Sequence, residues 1–443
     1  MAYHCAGPAE GSAHHPGEVS ELSHRRKDKK RAYVIAGAGT AALATAAILL
    51  PYANAGQEQQ PRPGPMSAKA AAKMGTKLAD ENGARTAGWY IDGKANKLVM
   101  NVLDQETAER VQQSGATARI VQNSKAELKK VSDTLAGDAS VAGTAWSVDP
   151  RTNKVSVLAD RTVDSKGWGS LNETASGMNG MMSVKRSGGE FKPLHGGDQS
   201  GGGGMNDDGA GQGEGGSAQD AGGAGQDTGD AGDVGTAAEG VQGGDAIFAA
   251  GTRCSLGFNV NVDGAPAFLT AGHCGNAAEQ WTSDEAGAEA LGTVADSQFP
   301  ESDFALLNYD DAATEAPSSV NLDPLGEGQG GTQEITQAAE AAVGMEVQRS
   351  GSTTGLAEGT VTGLDATVNY GGGDIVNGLI QTDVCAEPGD SGGAMFSGDA
   401  AVGLTSGGSG DCTQGGETFF QPVTTALEAT GAEIGAGGQA EQQ

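Results

Sequence analysis

One histidine and one serine set the chemistry open to the C-terminal half. His273 is the only imidazole beyond residue 240, and it lies in Thr270-Ala271-Gly272-His273-Cys274. Ser391 lies in Cys385-Ala386-Glu387-Pro388-Gly389-Asp390-Ser391-Gly392-Gly393. A serine hydroxyl attacks an amide when a neutral imidazole takes its proton, a carboxylate holds that imidazole's tautomer, and N–H donors meet the oxyanion. The small residues around Ser391 would let the N–H groups of Gly389 and Ser391 point into one cavity. Asp303, in Ser302-Asp303-Phe304-Ala305-Leu306-Leu307, is the best carboxylate. It opens an apolar strand that would bury it and leave the imidazole as its natural partner. Each residue alone has a plainer reading. A histidine beside a cysteine is commonly structural, Gly-Asp-Ser-Gly-Gly can be a surface turn, and Asp303 is one of 29 acids in this half. Their joint occurrence, in the order His, Asp, Ser within one β-rich segment, points to acyl transfer through Ser391.

The rest of the chain limits the alternatives. At 443 residues it should hold two or three units. Glycine accounts for 74 of them and aromatics for only 4%, so part must be linker. The net charge is −30, unevenly spread. Residues 61–195 hold 19 basic and 14 acidic residues, residues 196–240 none and nine, and residues 241–443 two (Arg253, Arg349) and 29. So acidic a half cannot bind nucleic acid by neutralising phosphates and is repelled by anionic membranes. One histidine among scattered cysteines makes a poor metal site; no metal and no cofactor are expected.

Residues 24–55 read as a secretory signal: a basic stretch at 25–31, an apolar run at 32–50 and the A-x-A triplet Ala53-Asn54-Ala55. The alternative is an uncleaved anchor; the small-residue bias and the triplet favour cleavage before Gly56. The first twenty or so residues fit badly ahead of a signal, and initiation near Val19 or Leu22 is expected. Cleavage would remove Cys5 and leave four cysteines, an even number suited to an oxidising exterior. Residues 56–195 read as an α/β unit with an internal echo. Trp89-x-x-Asp92-x-x-x-Asn96-Lys97-Leu98 recurs as Trp146-x-x-Asp149-x-x-x-Asn153-Lys154-Val155, each pattern a hairpin. Residues 105–115 and 125–135 carry helical apolar spacing. Residues 196–240, with 18 glycines in 45, read as a flexible linker. Residues 241–430 read as all-β: short apolar runs at 255–262, 267–270, 304–308, 346–349, 359–368, 378–383, 401–406 and 418–423 stand between Gly, Asn and Asp turns. Residues 431–443 read as a flexible tail.

With these residues in view, 241–430 resembles the bacterial chymotrypsin-fold serine proteases, the streptogrisins and α-lytic protease of the peptidase S1 group. The similar stretches are residues 253–258, 270–274, 350–355, 366–374, 385–393, 403–412 and 418–423. The resemblance implies two six-stranded antiparallel β-barrels with the site between them, preceded by an α/β pro-domain. It implies that His273, Asp303 and Ser391 are catalytic, that Gly389 and Ser391 form the oxyanion hole, and that disulfides join Cys254–Cys274 and Cys385–Cys412. Ser406 matches a serine that hydrogen-bonds the triad Asp. Arg349 matches an arginine that pairs with Asp390. The P1 pocket, which takes the side chain before the scissile bond, falls on Ala386, Glu387, Pro388, Ser406, Gly407, Gly408 and a position near Thr418.

The two glycines would leave the pocket mouth open to large apolar or aromatic side chains. Cys385 stands six before Ser391, where a trypsin-like pocket has Asp, and Thr405 stands where glutamyl-specific relatives use an added histidine. The expected protein is a secreted, extracellular, monomeric serine endopeptidase acting on proteins and peptides after Phe, Tyr, Leu or Met. The competing class is an inactive, secreted protease-like binding protein, against which the intact triad argues. The N-terminal unit resembles the family's pro-region, a foldase and inhibitor of its own protease. Its +5 against −27 predicts a salt-sensitive encounter. Val241-Gln242-Gly243-Gly244 resembles the family's mature N-terminus, so maturation is expected near Val241. The acidity itself suggests a saline habitat.

Overall fold

The computed structural model describes residues 67–137, 139–194, 240–249, 251–328 and 330–435. The signal, most of the linker and residues 436–443 lie outside them. The N-terminal unit is one pattern built twice. Helix Ala68–Asn82 precedes the hairpin Thr86–Asp92/Lys97–Val102, helix Gln105–Gln113 and strand Thr117–Ile120, which pairs parallel with Lys97–Val102. Helix Lys125–Ala136 then precedes Thr144–Asp149/Lys154–Ala159, helix Ser165–Gly177 and strand Met182–Arg186, again parallel to the second hairpin strand. The sequence echo is this repeat. Its turn residues Asn96 and Asn153 both adopt left-handed backbone, φ 48° and 55°, which asparagine accepts more readily than most side chains. Ser67, Asp104, Ser124 and Asp164 cap the four helices by accepting from first-turn N–H groups. Helices Ala68–Asn82 and Ser165–Gly177 escape the periodicity reading because small residues fill them; Leu78 and Leu171 are their large buried side chains.

The C-terminal half is two antiparallel β-barrels of the chymotrypsin-like kind. In the first sheet the order is Phe258–Val262, Ala265–Thr270, Phe304–Tyr309, Ala290–Gln298, Gln280–Thr282, Ala246–Ala249, Thr252–Ser255. Both edges come from the single run 252–262, bent at Leu256-Gly257, so the six-strand ring closes on one broken strand. Gly257 is needed at the bend, since a Cβ there would lie 2.3 Å from Leu404 Cδ2 and 2.7 Å from the Gly392 carbonyl. The second barrel runs Glu346–Gly351, Ala394–Ser397, Ala400–Asp411, Gly415–Pro422, Asp374–Thr382, Gly355–Gly371, and the last strand pairs back with the first. Phe258, Leu269 and Phe304 of the first barrel pack with Phe396 and Leu404 of the second and with Val423 of helix Val423–Thr430. The sequence reading begins the flexible tail at 431. Order in fact continues: Ala432 is buried, and Glu433 exchanges two 2.9 Å backbone hydrogen bonds with Asn261.

Strand Gly355–Gly371 has a second partner. Its outer edge pairs with Thr144–Asp149 of the N-terminal unit, with Leu364 opposite Val148 and Val368 opposite Ala145. The second barrel therefore continues into the N-terminal unit as one sheet. Ala145, Leu158 and Phe191 on one side pack with Ala366, Val368, Leu379 and Phe419 on the other. Polar contacts across this boundary include Ser147 Oγ to Gln381 Oε1 at 2.8 Å and Arg151 Nη2 to the Thr362 carbonyl at 2.8 Å. Among the described residues no ion pair crosses it. A ladder, apolar packing and side-chain hydrogen bonds make the contact.

Candidate active site

The two barrels meet where His273, Asp303 and Ser391 converge. His273 sits on the short turn Gly272–Gly275 after strand Ala265–Thr270. A Cβ at Gly272 would lie 1.9 Å from the Gln298 carbonyl, so only glycine lets this turn pack. Asp303 immediately precedes Phe304–Tyr309. Its carboxylate lies 2.9 and 3.0 Å from His273 Nδ1 and accepts the His273 backbone N–H at 2.9 Å. On the other side of the ring, Nε2 is 2.7 Å from Ser391 Oγ. Asp303 and Ser391 are fully buried and His273 is 8% exposed, so these bonds face little competition from water. Ser406 Oγ donates to Asp303 Oδ2 at 2.5 Å. A carboxylate bound to Nδ1–H leaves Nε2 as the acceptor, the form that can take a hydroxyl proton.

Two residues without a sequence signal complete this cluster. Gln421 Oε1 accepts the Asp303 N–H at 2.8 Å, and the edge of Phe299 meets the imidazole with centroids 5.7 Å apart. Reading types and spacing has no handle on either, because their value lies in where two distant strands happen to cross.

The loop before Ser391 is held from several directions. Gly389 has φ +104°, and a Cβ there would lie 2.2 Å from Thr353 Oγ1. Ser255 Oγ and Ser352 Oγ both donate to the Gly389 carbonyl, at 2.9 and 3.0 Å. The Ser255 N–H donates to the Ser391 carbonyl at 2.7 Å. Asp390 turns away from the cleft to fully buried Arg349, 3.3 Å from Nη1. It also accepts the backbone N–H groups of Thr353, Thr354 and Glu387. Arg349 donates further to the carbonyls of Gly355 and Cys385, at 2.9 and 2.7 Å. Burial pulls the guanidinium below its ordinary pKa, and the Asp390 charge opposes that pull. Disulfides join Cys254–Cys274 and Cys385–Cys412, one beside His273 and one flanking the loop.

The cleft is filled by the N-terminal unit's own last described residues. Lys192–Pro193 pairs antiparallel with Gly407 and Gly408. The Leu194 N–H donates to the Ser406 carbonyl at 3.2 Å, and the Leu194 carbonyl accepts the Gly389 N–H at 2.6 Å. Leu194 is 6% exposed. A Cβ at Gly407 would lie 2.5 Å from the Lys192 carbonyl, so that glycine admits the strand. Of the other pocket residues the resemblance nominates, Ala386 and Thr418 are buried, Pro388 is exposed, and the Glu387 carboxylate accepts the Cys412 N–H at 3.1 Å.

Residues 59–121 match the family described as alpha-lytic protease pro N-terminal, residues 123–178 the alpha-lytic protease prodomain, and residues 255–429 trypsin. Streptogrisin-D of Streptomyces griseus is 47% identical over 422 residues, covering 95% of this chain and 94% of that protein. Glutamyl endopeptidase 2 of the same organism is 42% identical over 194 residues, 44% of this chain and 99% of that protein. Among solved structures, a Cellulomonas bogoriensis chymotrypsin is 45% identical, covers 44% of this chain and 97% of its own, and has a TM-score of 0.38.

Proposed function

The chain belongs to the streptogrisin-like serine endopeptidases, a trypsin-family domain behind an alpha-lytic pro-region, and from that premise we propose how it works. Ser391 Oγ attacks the substrate carbonyl while His273 Nε2 takes its proton. Asp303, braced by Ser406, stabilises the imidazolium that forms. The oxyanion draws on the N–H groups of Gly389 and Ser391. His273 then returns the proton to the leaving amine, and water hydrolyses the acyl-enzyme. Arg349 and Asp390 hold the oxyanion loop. The enzyme is made as a secreted pre-pro-protein with domains at 1–55, 56–195, 196–240, 241–430 and 431–443, and it acts as an extracellular monomer.

The observation that carries the substrate reading is the clasp on Leu194, bonded through both its N–H and its carbonyl as a residue before a scissile bond would be. It supports a preference for large apolar P1 side chains and a pro-region that inhibits by lying in the cleft. It also favours a first cut after Leu194, with Val241 exposed by later trimming. A peptide-library profile with intact-mass analysis of the secreted protein tests this. Cleavage after Leu, Met, Phe or Tyr and a fragment beginning at His195 are expected. Faster hydrolysis of a Glu-anilide than of Leu- and Phe-anilides would overturn the pocket assignment. A Ser391 that phenylmethylsulfonyl fluoride fails to label would favour an inactive binding protein.

A further inference from the structure

The protease half holds two cations. Arg349 is buried under the oxyanion loop. Arg253 is half-buried on strand Thr252–Ser255, and its guanidinium stands at the other side of the same loop. Its Nη2 donates to Thr353 Oγ1 at 2.8 Å. A Cβ built on Gly389 would lie 2.9 Å from Nη2 and 3.0 Å from Nε. Among the described residues Arg253 forms no ion pair with a carboxylate. The charge therefore stays available to a ligand.

The seated strand gives the cleft a direction. It runs from Gly408 through Ser406 to the Gly389 N–H. Whatever follows the attacked carbonyl must continue past Gly389, and the wall beyond Gly389 is Arg253 with Thr353. Arg253 also borders a groove lined by Phe248, Thr252, Gln280, Thr282 and one acid, Glu285. In sequence, Leu194 and His195 are followed by residues 196–240, with nine acidic residues and no basic one. A half with 29 acids and two cations would repel such a chain everywhere except here.

We infer that Arg253 is a specificity residue of the leaving-group side, favouring acidic side chains within the first few residues after the scissile bond. This deepens the endopeptidase reading and rests on it. The test uses mature enzyme and quenched-fluorescence peptides with Leu before the bond. They differ only in carrying Asp, Ala or Lys at the second and third positions after it. At low salt the wild type should cleave the Asp peptide about three- to fivefold faster in kcat/KM than the Lys peptide, the range open to a solvated ion pair. About 1 M NaCl should erase that ratio. Arg253→Gln should bring it to one or below, and Arg253→Lys should retain it. A wild type that prefers Lys, or a ratio unmoved in Arg253→Gln, overturns the assignment. Failure to cleave any of the three peptides would instead sink the endopeptidase reading.

Discussion

Arg349→Ala removes one member of a pair in which both side chains are fully buried. Asp390 keeps its bonds from the N–H groups of Thr353 and Glu387, both 2.9 Å. It loses the positive charge 3.3 Å away, and the carbonyls of Gly355 and Cys385 lose a donor. Breaking a buried pair from one side costs about 3–5 kcal/mol. At about 2–4 °C per kcal/mol for a domain of this size, Tm should fall by about 6–20 °C. The assay is thermal unfolding of the full chain carrying Ser391→Ala, so that no self-cleavage intrudes. Arg349→Met, which keeps most of the volume, separates charge from packing. Arg253→Ala, which removes a half-buried side chain with a hydrogen bond to Thr353 Oγ1, should cost only about 1 kcal/mol. In the active chain Arg349→Ala should also lower the yield of processed enzyme. Equal losses of Tm and yield for the two alanine variants would refute the assignment of Arg349 as the brace of the oxyanion loop.

Ser406→Ala removes a hydroxyl bonded to a charged, buried carboxylate. Such bonds contribute about 1.5–3 kcal/mol, so kcat/KM on a Leu-anilide should drop by about one to two orders of magnitude; an unchanged value would show that Asp303 needs no such support. Glu417 is partly buried between Gln381, which donates to it at 2.8 Å and also meets Ser147 of the pro-region, and Asp383. Burial, the larger cause, raises its pKa above the ordinary 4.5. The folded state then holds this proton more tightly than the unfolded chain, so stability present below that pH is lost as pH rises through the raised value. The Tm of Glu417→Gln should fall less than that of the parent over this window, and parallel curves would exclude Glu417. Because no ion pair among the described residues crosses the pro-region boundary, raising NaCl from about 0.05 to 0.5 M should slow re-association of the processed pieces roughly tenfold and change dissociation less than twofold. A dissociation rate that climbs with salt would place the charges in contact.

The chemistry was more legible than its setting. Asp303, His273 and Ser391 can be nominated from sequence because acyl transfer by serine demands those functional groups and the half has one imidazole to offer. The repeat in the pro-region was visible through Trp89 and Trp146, since each must sit at the same place in a hairpin. Strand Gln280–Thr282 was missed because three residues are too few to show alternation even with Trp281 buried at their centre, and Ala290–Gln298 because it is too polar and too small in side chain to alternate clearly. The role of Leu194 carries no local mark. Phe191-Lys192-Pro193-Leu194 is an unremarkable tetrapeptide until a second barrel offers it Gly407 and Gly408. The charge contrast was read correctly as a sum, but a sum says nothing of which side chains touch. At this boundary the touching groups are backbone amides, apolar side chains and hydrogen-bonding ones such as Ser147 and Gln381.

The pro-region holds the protease at the ladder along Gly355–Gly371, at the packing of Ala71 and Ile91 against Met345, Val347 and Val361, and at the strand ending at Leu194. Three cleft-bound residues alone would be a feeble competitor for any substrate. Tethered to the ladder, they face the cleft at an effective concentration in the millimolar range, and avidity makes them formidable. The same arrangement makes release abrupt: once the bond after Leu194 is cut, one nick in residues 187–190 would sever tail from anchor, the short tail would wash out, and latency would end.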